Sequence, residues 1–123
     1  MPKLFDYGCL VLYCALIFWL SSQETLPTPH LFNYEDKLHH FLAYAVMAYL
    51  SWQSFRHFLS SAIILSLSVI VFSSLYGMSD EWHQSFVIGR DSSIGDWLAD
   101  TLGAVLATAI LYVRRAKVQP VTG

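Results

Sequence analysis

Apolar residues run along this chain in four long blocks, separated by three polar breaks. The blocks cover approximately Leu4–Leu20, Lys37–Phe55, Phe58 to Tyr76 or Gly77, and Ile94–Val113. Each is about 17–20 residues, enough for a helix to cross roughly 30 Å of hydrocarbon. The first break, 23–36, holds Pro27 and Pro29, which oppose helix. The second, Arg56–His57, is a very short turn that makes its flanking segments antiparallel neighbours. The third, Asp80–Ser93, is a polar central loop. Ser93 with Asp96 forms an S-x-x-D capping signal for the last segment. The pattern predicts an all-α integral membrane protein, a bundle of four transmembrane helices.

Composition supports that class. The 123 residues are 55% hydrophobic and 13% charged, against about 25% charged in soluble domains. Phe18-Trp19-Leu20-Ser21-Ser22 offers no small-x-small cleavage site, which favours an uncleaved first helix over a signal peptide. The basic residues set the orientation. Lys3, Arg56, Arg114, Arg115 and Lys117 fall on one side, Lys37 and Arg90 on the other. Both termini are therefore expected in the cytoplasm, with the acidic side facing outward. The expected organisation is one transmembrane domain over 1–113 and a basic cytoplasmic tail over 114–123. Cys9 and Cys14 read as apolar filler within a helix. No basic stripe interleaved with aromatics points to nucleic acid.

Folding four segments across a bilayer gathers the chemistry at one surface. Asp36, Lys37, His40 and Tyr44 open segment two; Asp80, Glu81 and His83 follow segment three; Arg90, Asp96 and Asp100 lead into segment four. Asp36, His40 and Tyr44 recur at i, i+4 and i+8, hence on one helix face. Asp96, Asp100, Gly103 and Ala107 follow one face of segment four, expected to pack inward. Asp100 lies about six residues inside its segment, roughly 9 Å deep at 1.5 Å per residue. An ionised carboxylate there costs about 2.5–3.5 kcal/mol and needs a partner or a proton.

Three chemistries suit this set. Asp80, Glu81, Asp96, Asp100 and a histidine can bind a divalent cation, although their spacing matches no closed metal signature. Glu81, His83, Asp96, Asp100 and His40 are the candidates for acid–base work, with Arg90 and Lys37 on a phosphate or carboxylate. Asp36 and Asp80 are candidate metal or structural groups. The third possibility is purely structural, a set of ion pairs and caps that locks three helices.

DKLHHFLAY at 36–44 and YGMSDEWHQSFVIGRDSSIGDWLADTLGA at 76–104 resemble the VanZ-like family of small bacterial membrane proteins. The matching positions are Asp36, Lys37, His40, Phe41 and Tyr44; then Tyr76, Gly77, Asp80, Glu81, His83, Gln84 and Phe86; then Arg90, Asp96, Asp100 and Gly103. Ile88 stands where the family often has proline, and Asp100 where many members have asparagine. The resemblance adds Gln84, with Tyr44, to the substrate-binding candidates. It implies an envelope protein related to one associated with teicoplanin resistance, and carries no family-wide reaction.

The sequence reading is therefore an inner-membrane protein whose outward-facing polar site acts on a lipid or lipid-linked envelope precursor. A non-catalytic binding or assembly subunit is the alternative. An ion or proton-coupled transporter ranks third, because the other halves of the helices continue no polar path.

Overall fold

The computed structural model describes residues 2–22, 35–87 and 93–118, with the side chains of Glu35 and Asp36 outside the described set. Among the described residues every regular element is helical: α1 Lys3–Ser21, α2 Glu35–Phe55, α3 Ala62–Gln84 and α4 Ile94–Val118. Lengths of 19, 21, 23 and 25 residues correspond to helices of about 28–38 Å at 1.5 Å per residue. α1, α3 and α4 are long and apolar enough to cross a membrane. α2 is less apolar, but its polar residues turn inward: His40, Ser51 and Ser54 are buried, while Leu38, Leu42, Val46 and Tyr49 form its exposed stripe. This inside-out arrangement is what hydrocarbon selects.

Cross-helix contacts define the topology. Asp6 meets Ser54 and Tyr13 meets Ala43, so α1 and α2 are antiparallel. Tyr76 donates to the Cys14 carbonyl and Ser22 meets His83, so α1 and α3 are parallel. Lys37 pairs with Asp96 and His40 with Asp100, so α2 and α4 are parallel. The bundle is up-down-up-down, with the start of α1 and the end of α4 at one end and the polar cluster at the other.

Small residues allow close packing. The Cβ of an alanine at Gly103 would lie 2.1 Å from the Phe41 carbonyl oxygen, so α4 touches the α2 backbone there. Ser74 hydrogen-bonds Thr101 across α3 and α4 at 3.0 Å, one case of hydroxyls joining membrane helices. Ala48, Trp52, Leu65, Val69 and Ala104 form the core nearer the termini; Ile17, Tyr44 and Met47 form a second cluster nearer the polar end.

Two boundaries differ from expectation. α3 runs to Gln84, well past Tyr76, so Asp80, Glu81 and His83 are helical and not in a loop. Falling hydropathy marks the edge of the apolar block, but no proline follows to stop the helix, and Gly77 is tolerated within it. Its exposed stripe of Ile64, Leu67, Val71, Leu75 and Met78 continues to Trp82. α4 likewise extends past Val113 to Val118, so Arg114, Arg115 and Lys117 are helical. At this end Asp6 is buried, hydrogen-bonded to His57 at 2.7 Å and 3.6 Å from Arg56. Arg115 donates to the Ser60 carbonyl at 2.6 Å.

Candidate functional site

The opposite end is built one helical turn at a time. Asp96 and Asp100 are four residues apart, so both carboxylates leave α4 on the side facing α2. Ser93 caps α4, its Oγ accepting from Asp96 N at 3.1 Å, as the S-x-x-D signal predicts. On α2, Lys37 and His40 occupy successive turns of the facing side. Lys37 Nζ reaches Asp96 Oδ1 at 2.5 Å, and His40 Nδ1 lies 2.7 Å from Asp100 Oδ1. Asp100 is 0% exposed and seats against Gly77 of α3. A Cβ on Gly77 would stand 2.9 Å from Asp100 Oδ2, so glycine makes room for this carboxylate.

From α3 come two adjacent acids with different surroundings. Asp80 accepts from the Ser21 hydroxyl of α1 and lies 3.5 Å from the Tyr44 hydroxyl. Glu81 is 8% exposed. Its Oε2 accepts the Ser93 backbone N–H at 3.0 Å, linking the end of α3 to the start of α4. Its Oε1 is buried without a hydrogen bond among the described residues, 3.8 Å from His40 Nδ1. One ligand-type atom from each of His40, Asp80, Glu81 and Asp100 falls within 4.8 Å of the others. These four can converge on a cation or share protons with a bound substrate.

His83 does not join them. It is two residues beyond Glu81, about 200° around the helix. Its ring stacks on Phe18, with centroids 4.6 Å apart, and Nε2 lies 2.9 Å from Ser22 Oγ. His83 is thus part of the α1–α3 contact, and Glu81 faces His40 instead. Gln84 is buried and lines a small cavity of about 80 Å³ with Tyr44, His40 and Asp80. Arg90 and the side chain of Asp36 lie outside the described residues. Sequence reasoning missed Ser21, because segment one read only as an anchor; its polar Ser21-Ser22 ending was the available signal. It also missed the Ser93 N–H as a donor to Glu81, since backbone donors carry no residue signature.

A wider cavity of about 500 Å³ opens between the ends of α3 and α4. Met78, Trp82, Ile94 and Trp97 form its apolar walls, and Glu81 with Ser93 its polar part. Trp82 is 69% and Ile94 76% exposed, so the groove opens through the apolar outer surface of the bundle.

An apolar exterior around a buried acid–histidine cluster at one end defines a helical membrane protein with an internal polar site. The chain belongs to the VanZ/LLP1 family, whose model matches residues 8–115. Comparison with curated proteins and with solved structures found no match.

Proposed function

We propose that this protein works in the bacterial inner membrane on a lipid or lipid-linked envelope substrate. The observation that carries this reading is the groove between α3 and α4. Its walls are apolar and open sideways, as acyl or prenyl chains require, and Glu81 is the charged group in its polar part. A head group entering there meets Glu81, and beyond it His40 and Asp100. Lys37, with its side chain 42% exposed, supplies a cation for an anionic head group while holding Asp96. Of the five acid–base candidates, Glu81 and His40 are the groups positioned for proton transfer, while His83 faces α1. Arg90 completes the anion site in this proposal.

Orientation follows from charge. Lys3 at the start of α1, Arg56, and Arg114, Arg115 and Lys117 at the end of α4 share one end of the bundle, while Lys37 lies at the site end. The positive-inside rule supports a site on the periplasmic or extracellular face. The family resemblance to proteins linked with teicoplanin resistance fits an envelope substrate.

Filling the groove tests the proposal. Ile94→Trp adds a large ring to the groove wall at an exposed position, and Leu67→Trp adds one elsewhere on the apolar surface. Native mass spectrometry in mild detergent should show that Ile94→Trp retains added phosphatidylglycerol or polyprenyl phosphate about tenfold less well, equivalent to ~1.4 kcal/mol. Leu67→Trp should match the unaltered protein. Equal retention by both variants would remove the groove from the account.

A further inference from the structure

We infer that His40, Asp80, Glu81 and Asp100 form a binding site for a divalent transition-metal ion of the Mn²⁺ or Zn²⁺ type. This goes beyond the lipid reading and does not depend on it. The first observation is convergence: three helices each contribute to a set whose ligand atoms all lie within 4.8 Å of one another. Ligands bonded at about 2.0–2.2 Å to one ion lie at most about 4.4 Å apart, so these side chains need draw in by only a few tenths of an ångström to close on one. The second is independent of the clustering. Glu81 Oε1 is buried, points toward His40 and has no hydrogen-bond partner among the described residues. A buried carboxylate oxygen without a donor carries a desolvation cost that a cation removes.

The donor types select the ion class. Three carboxylates alone suit Mg²⁺ or Ca²⁺, but an imidazole nitrogen among them favours a transition metal. His40 is also braced as a ligand. Its Nδ1 faces Asp100 and Glu81, while Nε2 faces Asp96 at 3.8 Å, and Lys37 holds Asp96 from the other side. A carboxylate hydrogen-bonded to the second ring nitrogen is the usual support for a metal-bound histidine, and Asp96, at 3.8 Å, would have to close by about 1 Å to give it. When the ion binds, the proton shared between His40 Nδ1 and Asp100 Oδ1 leaves, as ligand deprotonation requires.

The same geometry supplies the variant for the test. In Glu81→Gln, the Ser93 N–H needs an acceptor where Oε2 now stands, so the amide oxygen takes that place. The amide NH₂ then occupies the position of Oε1, putting a donor where the ion needs a ligand. Shape and the link to Ser93 are kept, so this variant should fold.

The experiment uses the full chain in detergent, stripped with a chelator and titrated with Mn²⁺ or Zn²⁺ alone, without added lipid. The expected result is one equivalent bound by the unaltered protein and affinity about 100-fold or more weaker in Glu81→Gln, since even outer-shell changes cost 10–100-fold. Pulsed EPR of the unaltered protein with Mn²⁺ should show coupling to one imidazole nitrogen, a readout that needs no variant. Absence of stoichiometric binding, equal affinity in Glu81→Gln, no nitrogen coupling, or preference for Mg²⁺ would each overturn the assignment. Because no lipid is present, failure here leaves the groove test untouched, and failure of the groove test leaves this one standing.

Discussion

Gly103→Ala is expected to destabilise the bundle severely. The new methyl would lie 2.1 Å from the Phe41 carbonyl oxygen and 2.9 Å from its carbon. The obstacle is backbone, so no side-chain rotation relieves it, and α4 must move away from α2. Overpacking in a close-packed interior costs about 1–3 kcal/mol or more, against a total stability of roughly 5–15 kcal/mol. The displaced helix also carries Asp96 and Asp100 away from Lys37 and His40, so packing and ion pairing fail together. Gly8→Ala is the matched control, because nothing stands within 4 Å of the added carbon. Size-exclusion chromatography and thermal melting in detergent should give little folded protein for Gly103→Ala and normal behaviour for Gly8→Ala. A normal melt for Gly103→Ala would contradict the α2–α4 contact.

The second large effect is expected at Asp100, where alanine and asparagine should part. Asp100→Ala removes a fully buried acceptor from His40 Nδ1 and leaves the ring facing an emptied space. Breaking a buried pair by removing one partner costs about 3–5 kcal/mol. Asp100→Asn keeps the volume beside Gly77 and an oxygen for His40, at a cost of about 1 kcal/mol. The expected melts are therefore strongly lowered for alanine and near normal for asparagine. Lipid retention should follow the same order. If asparagine melts as low as alanine, the charge itself holds the helices together, and the non-catalytic structural reading gains the site.

Much of this architecture is visible in the sequence, for physical reasons that also mark where visibility ends. Blocks of apolar residues report burial in hydrocarbon, so all four helices could be placed. Alternating connections then bring Lys37, His40, Asp96 and Asp100 to one level. The Ser93 cap was legible because its partners lie three residues apart. The end of α3 was not, because hydropathy reports the membrane and not the helix; treating 80–83 as loop hid the opposite directions of Glu81 and His83. Asp6 meeting His57, and Ser21 meeting Asp80, join residues far apart in the chain, and no local pattern announces them. The spacing puts Gly103 on an inward face, but the fit of the α2 backbone against its missing Cβ depends on the angle at which the helices cross, which no local pattern carries.

In the proposed function, the groove beside Glu81 holds a particular lipid head group. The most direct measurement places a photo-crosslinking phenylalanine derivative at Trp82, in the groove wall, and separately at Leu67, on the general apolar surface. After irradiation in bacterial membranes, mass spectrometry identifies the attached lipids. The account predicts that position 82 captures one anionic or lipid-linked species well above its share at position 67. The same bulk lipid mixture at both positions would contradict it.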